Sequence, residues 1–110
     1  MNIILIEDDP RIADFLQRGL RAEGLQVQRA ATGPEGLALV LETARQNKAE
    51  ALTTVVVLDL MLPGMNGIDV CRALRHDPRF TTTMVLILSG RASVSDRIVA
   101  LDAGADDHLA

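Results

Sequence analysis

Acidic side chains follow two apolar segments of the sequence, at the positions where each segment ends. Glu7, Asp8 and Asp9 come directly after the first apolar run, and Asp59 directly follows a run of three valines and a leucine. Carboxylates gathered in a partly dehydrated cleft repel one another, and a hard divalent cation with oxygen ligands relieves that repulsion. If the two segments are neighbours in the fold, their acidic ends predict an Mg²⁺ site.

The two acidic positions differ in how specific they are. Glu7, Asp8 and Asp9 on their own also fit a polar strand end in which Asp9 caps the following helix. Asp59 is harder to explain without a function, because an unpaired charge at the end of a buried strand is costly and no basic residue lies nearby in the sequence. Ser89 follows another apolar run. Alone it fits an ordinary cap, and only its pairing with Asp59 points to a site.

The elements that must position these residues show two alternating patterns. Short apolar runs rich in β-branched residues predict strands, and segments with apolar residues at helical spacing predict helices between them. The second run alternates polar with apolar residues and is expected at a sheet edge, whereas the other long runs are apolar on both faces and predict helices on both sides. The predicted strands cover residues 2–6, 25–30, 53–58 and 84–88, with a last short piece at 108–110.

This order of elements predicts an α/β fold, a doubly wound parallel sheet of five strands in a three-layer α/β/α arrangement. Ligands of such sheets lie beyond the carboxyl ends of the strands. Glu7, Asp8, Asp59 and Ser89 all occupy such ends. They converge if the first, third and fourth strands are adjacent.

Composition limits the class of protein. A length of 110 residues fits one domain over residues 1–110. The net charge of −4 has the wrong sign for binding a phosphate backbone, and no apolar run approaches the ~20 residues that span a bilayer, so we expect no direct nucleic-acid partner and no membrane. The single cysteine, Cys71, is interpreted as a helix packing residue and favours a reducing, cytoplasmic location.

Four segments form a combination that is specific for one protein family, although each piece alone is weak. They are Glu7-Asp8 after an apolar strand, residues 59–67 (Asp-Leu-Met-Leu-Pro-Gly-Met-Asn-Gly), residues 86–90 (Leu-Ile-Leu-Ser-Gly) and residues 102–107 (Asp-Ala-Gly-Ala-Asp-Asp). With these segments the chain resembles, along its whole length, the receiver domain of bacterial two-component response regulators. The resemblance implies a flavodoxin-like fold with strand order 2-1-3-4-5.

The resemblance also implies a role for each residue of the site. Asp59 would be the phosphoacceptor, Asp8 a direct Mg²⁺ ligand, and Glu7 an acid that acts on the metal through water. The backbone carbonyl of Met61 would be a further metal ligand. Ser89 would bind a phosphoryl oxygen and move on activation, as a switch residue.

The implied function is signalling. The chain is expected to take a phosphoryl group from a sensor histidine kinase or a phosphotransfer protein, and then to switch an output or a partner. It is not expected to be an enzyme beyond an Mg²⁺-dependent autophosphorylation. A flavin-binding protein of the same fold class is disfavoured, because acids at residues 7–9 would repel a cofactor phosphate and two phenylalanines are the only aromatic residues.

The sequence departs from the family pattern near its last residues. The family has a lysine one residue beyond the position of Ala110 and then a fifth helix, whereas the last lysine here is Lys48. We interpret this as a cut within the domain, which leaves it incomplete at its C-terminus and exposes an apolar face that a homodimer would cover. The alternative is a degenerate receiver that acts as a phosphorylation-independent interaction module. His108 stands where the family has an aromatic switch residue, and it fits either a modified switch or an ordinary strand residue.

Overall fold

The computed structural model describes residues 1–46, 54–81, 83–88 and 94–109. Strands and helices alternate along this part of the chain. The strands are β1 (Asn2–Ile6), β2 (Gln26–Ala30), β3 (Thr54–Leu58), β4 (Met84–Leu88) and β5 (Asp107–Leu109). The α-helices are α1 (Pro10–Ala22), α2 (Gly33–Gln46), α3 (Gly67–His76) and α4 (Val94–Asp102), and a short 3₁₀ helix spans Pro78–Phe80.

The helices that follow β1 and β3 begin at side-chain caps. Asp9 accepts a hydrogen bond from the backbone N–H of Arg11, and Pro10 occupies the first turn, where its missing N–H costs nothing. Asn66 caps α3 in the same way by accepting from the N–H of Asp69. These caps fix the point at which each strand-to-helix loop ends, so they define the geometry of the loops that carry the acids.

The sheet has the order β2-β1-β3-β4-β5, and its paired strands are parallel, which confirms the predicted fold and strand order. The register aligns Ile6 with Ala30 on one side and with Leu58 on the other. Leu58 in turn pairs with Ile87. The carboxyl ends of the four strands β1 to β4 therefore lie level at one edge of the sheet.

The core has two parts, one on each face of the sheet. On one face, side chains of β1, β3 and β4 pack against α2 and α3; the buried members include Ile4, Val56, Ile87, Val40 and Val70. On the other face, β1 and β2 pack against α1 through a smaller cluster, which contains Ile3, Leu5, Ala13 and Val27. Cys71 is buried in the larger cluster, as expected for a packing residue.

Cover on the second face differs from the expectation that β3 and β4 are buried on both sides. Val55 and Val57 of β3 are only partly buried, and so are Leu86 and Leu88 of β4. On this side α1 lies toward the β2 end of the sheet, where it contacts β2, and Val55 and Val57 pack against the cluster that α1 forms with β1 and β2. None of the described helices is long and apolar enough to cross a membrane.

Candidate functional site

Glu7 is the first residue after β1, and only 3% of its surface is exposed. Its backbone N–H donates to the carbonyl of Ala30 at 3.0 Å, and its Oε1 accepts from the N–H of Asp9 at 3.1 Å. Burial raises the pKa of the Glu7 carboxyl to about 7, and the charges of Asp59 and Asp8 act in the same direction, against the opposing hydrogen bond from Asp9. A bound cation would therefore favour the ionised form of this buried acid.

Asp8 and Asp9 diverge from each other although they are adjacent. Asp8 is exposed at the edge of the sheet. Asp9 turns to the helix, and its Oδ1 accepts from the N–H of Arg11 at 2.9 Å. The hydrogen bonds from Arg11 lower the pKa of the Asp9 carboxyl. Asp9 is thus the helix cap of the pair, which leaves Asp8 for the site.

Asp59 follows β3 directly and is half-buried. Its backbone N–H donates to the carbonyl of Ile6 at 3.1 Å, so it lies beside the end of β1. Its side-chain Oδ1 accepts from the backbone N–H of Met61 at 3.0 Å. The strand pairing and this turn together fix both the backbone and one carboxylate oxygen of Asp59.

The structure brings Glu7, Asp8 and Asp59 together. One carboxylate oxygen from each lies within 4.8 Å of the others. Such a spacing allows one ion to contact all three groups, and an all-oxygen, acidic donor set suits a hard divalent cation. The acidic cluster, defined by these three residues, could bind a metal ion.

Comparison with known proteins identifies the family. Residues 3–110 match the response regulator receiver domain. The chain belongs to this family. A transcriptional regulatory protein from Picosynechococcus sp. is 40% identical to this receiver over 107 residues, which are 97% of this chain and 41% of that protein. The receiver spans about two fifths of the length of the curated relatives that it matches.

Two solved structures show the same fold as this receiver. A response regulator from Chloroflexus aurantiacus has a TM-score of 0.84 and 30% identity, over 98% of this chain and 82% of that one. The receiver domain of the sensor histidine kinase PA1611 from Pseudomonas aeruginosa has a TM-score of 0.79 and 26% identity, over 99% of this chain and 83% of that one. The second structure holds a magnesium ion coordinated in its active-site cleft.

Three other residues were predicted to belong to the site of the receiver. The side chain of Met61 is exposed, and its backbone N–H is the donor to Asp59. Ser89 lies outside the described residues. His108 lies in β5, and its backbone pairs with Ile87 of β4. Its side chain lies outside the described part of the structure.

Arg29, in β2, is a neighbour of the site that was not predicted from the sequence. Its guanidinium donates to the carbonyl of Glu7 at 3.1 and 2.9 Å and to the carbonyl of Asp8 at 3.3 Å. The available signal was weak, since Arg29 is simply the basic residue next to the end of a predicted edge strand. Only the strand register shows that this end lies beside the acidic loop.

Gly67 brings α3 close to the loop that follows Asp59. Its N–H donates to the carbonyl of Leu60 at 3.0 Å. A Cβ at this position would lie 2.6 Å from the carbonyl oxygen of Asp59 and 2.8 Å from the Cα of Leu60. Only glycine fits such a close backbone approach, so Gly67 sets how tightly the loop carrying Asp59 is closed.

Proposed function

We propose that Asp59 of this receiver accepts a phosphoryl group, with a divalent cation bound at the acidic cluster. The observation that carries the proposal is the approach of three carboxylate oxygens within 4.8 Å at the carboxyl ends of β1 and β3. In parallel sheets this edge is where ligands bind. Ser89, which follows β4, is proposed as the hydroxyl that binds a phosphoryl oxygen and acts with His108 in switching.

Mg²⁺ is the proposed ion. Glu7, Asp8 and Asp59 would hold it with the backbone carbonyl of Met61, and Glu7 would act through water. The magnesium ion in the cleft of the Pseudomonas aeruginosa receiver supports this choice. When bound, Mg²⁺ neutralises negative charge on the transferring phosphoryl group and on the carboxylates around it.

Asp59 is the nucleophile in this proposal. Its Oδ1 is occupied by the hydrogen bond from Met61, whereas no hydrogen bond to Oδ2 is found within the described residues. A carboxylate oxygen of Asp59 attacks phosphorus, while the bond from phosphorus to the donor breaks and the donor leaves with the electron pair. The product is an acyl phosphate on Asp59.

The proposed donor is a sensor histidine kinase or a phosphotransfer protein, and the phosphorylated domain switches an output or partner. Autophosphorylation is then the whole of its chemistry, so the domain is not an enzyme acting on a separate substrate. Residues 1–110 act as one cytoplasmic domain with no direct contact to nucleic acid. We also propose that the 110-residue chain forms a homodimer. The comparisons give no support for the alternative of a degenerate receiver.

Incubation with acetyl phosphate and Mg²⁺, followed by intact mass spectrometry, tests the acceptor. We expect the mass of one added phosphoryl group on the wild type and none on Asp59→Asn. Because acyl phosphates are cleaved by hydroxylamine, the label should disappear on treatment. A label that persists in Asp59→Asn, or that maps to Ser89, would contradict the assignment.

Thermal unfolding with and without Mg²⁺ tests the metal. Since a ligand that binds only the folded state stabilises it, Mg²⁺ should raise the melting temperature of the wild type and raise that of Asp59→Asn much less. Asp102→Asn is the control for the loss of one acidic charge, because Asp102 is exposed at the end of α4, away from the strand ends that carry the site. Equal shifts in all three proteins would rule out the acidic cluster as the metal site.

A further inference from the structure

The loop between β1 and α1 is held to β2 by groups on both sides of its backbone. The N–H of Glu7 donates to the carbonyl of Ala30 at 3.0 Å. The carbonyl of Glu7 accepts two hydrogen bonds from Arg29, from Nε at 3.1 Å and from Nη2 at 2.9 Å. Nη2 also reaches the carbonyl of Asp8 at 3.3 Å. The guanidinium of Arg29 thus bridges the consecutive carbonyls of Glu7 and Asp8.

These two carbonyls lie beyond β1 and before Asp9, the cap of α1, so neither the strand ladder nor the helix supplies their partners. A carbonyl left without a partner next to a buried segment costs free energy, and a charged donor satisfies it more strongly than a neutral one. The planar guanidinium donates from two nitrogens at once, which restrains direction as well as distance. Arg29 therefore restrains the peptide units that carry Glu7 and Asp8.

We propose that Arg29 is a positioning residue for the metal site: by holding the carbonyls of Glu7 and Asp8, it keeps both carboxylates in position around one bound ion. The inference rests on the proposed function, since it assigns Arg29 to the same site. Its hydrogen bonds within the described residues go to backbone carbonyls, so it acts through the loop and not as a ligand. Loss of such supporting contacts weakens metal binding because the ion must then order the loop itself.

A purely electrostatic role for Arg29 predicts the opposite result. A positive charge near the site repels a cation, so its removal alone would tighten Mg²⁺ binding. Positioning predicts that the same removal weakens binding. The sign of the change in affinity therefore separates the two roles.

The experiment measures the Mg²⁺ dissociation constant by calorimetry at fixed ionic strength for the wild type, Arg29→Met and Arg29→Lys. Methionine keeps an unbranched stem without a donor or a charge, and lysine keeps the charge without the planar fork. Arg21→Met is the matched control, because the Arg21 guanidinium also donates to a backbone carbonyl, but to that of Val27 near the start of β2, at 3.1 Å. Metal-free melting curves establish that each variant is folded.

We expect Arg29→Met to weaken Mg²⁺ binding about tenfold, Arg29→Lys by a smaller factor, and Arg21→Met less than about twofold. Phosphorylation by acetyl phosphate should need more Mg²⁺ in Arg29→Met but reach a maximal rate within about twofold of the wild type, because saturating metal orders the loop. A general loss of structure would lower the maximal rate instead.

Three results would overturn the inference. Unchanged or tighter binding in Arg29→Met, with Arg29→Lys equal to the wild type, would assign Arg29 a charge effect or none. Equal weakening in Arg29→Met and Arg21→Met would show an unspecific effect. A wild type that does not bind Mg²⁺ would refute the proposed metal site and this inference with it, and that outcome is distinct because it appears before any variant is compared.

Discussion

At the scale of single residues, the site depends on an acid placed where an acid is unfavourable. Glu7 is almost fully buried, and two other carboxylates of the acidic cluster lie close to it. Both effects disfavour its charge, which is why its pKa rises to about 7. Ionisation of Glu7 therefore destabilises the metal-free domain near neutral pH, and a bound cation would remove this destabilisation. The affinity for the cation should consequently depend on pH.

The stability of the metal-free domain should fall as the pH rises. With a Glu7 pKa raised from 4.5 to about 7 in the folded state, the folded protein binds the proton more tightly than the unfolded chain. The stabilisation is complete below pH 4.5 and is lost as the pH passes through about 7, with a total of at most about 3 kcal/mol. Urea unfolding in a chelator over this pH range measures it.

Glu7→Gln is the control for this dependence, because the amide keeps the shape and cannot ionise. As the pH rises from 4.5 to 8, the free energy of unfolding of the wild type should fall relative to that of Glu7→Gln. Adding Mg²⁺ at pH 8 should raise the free energy of unfolding of the wild type again and should not raise that of Glu7→Gln. A difference that stays constant across the range would show that Glu7 is not perturbed.

At the scale of elements, the loop from β3 to α3 is closed by a backbone contact. Gly67 stands at the first position of α3, where a Cβ would meet the backbone of Asp59 and Leu60. Gly64 has a φ of +77°, which lets the chain turn back toward the helix. The turn at Gly64 and the close contact at Gly67 together hold Asp59 at the carboxyl end of β3, while α3 packs against the sheet.

Gly67→Ala should destabilise the domain by about 1 to 3 kcal/mol, because the added methyl group must displace the backbone next to Asp59. Gly19→Ala should instead stabilise it by about 0.5 to 1 kcal/mol, since Gly19 lies inside α1 with nothing within 4 Å of a Cβ. Chemical unfolding of both variants measures the opposite signs. A Gly67→Ala variant as stable as the wild type would mean that a small shift relieves the contact at Gly67, and a loss in Gly19→Ala would contradict the gain expected inside α1.

The elements were predictable from the sequence to a large extent, and their contacts were not. The apolar runs and the candidate cap at Asp9 are local signals, so they predicted the strands, the start of the first helix and, with the resemblance, the strand order. The 3₁₀ helix at Pro78–Phe80 was not predicted, because a proline after a helix also fits a simple turn. The contact of Arg29 with the acid loop depends on residues 22 positions apart, which no local pattern encodes.

The same limit applies to the site. Glu7, Asp8 and Asp59 could be identified because parallel strands bring their ends to one edge of the sheet. The elevated pKa of Glu7 could not, because it depends on how deeply this particular side chain is buried among its neighbours. Asp9 was predicted as a candidate helix cap, which its hydrogen bond from the N–H of Arg11 confirms, and the family resemblance had already singled out Asp8 as the metal ligand.

At the scale of the whole molecule, the two faces of the sheet are unequally covered. The face toward α2 and α3 holds the larger buried cluster. On the other face, β3 and β4 expose parts of several apolar side chains, and Met84 is 46% exposed. On α1, which packs over the same face, Ile12 and Phe15 lie one turn apart, and Phe15 is 77% exposed. The described part of the chain thus presents apolar surface on this face, in addition to the exposed Ile98, Val99 and Leu101 of α4.

Apolar surface of this kind favours association, because contact with a second copy removes it from water. We therefore expect the 110-residue chain to form homodimers through this face. Light scattering at high micromolar concentration should give the dimer mass for the wild type and a lower mass for the double variant Phe15→Gln, Met84→Gln. Ile98→Gln is the matched control, since Ile98 is also an exposed apolar side chain but lies on α4, which contacts α3 on the opposite side. A monomeric wild type at this concentration would show that the open face is tolerated in water, and dissociation by Ile98→Gln alone would move the interface to α4.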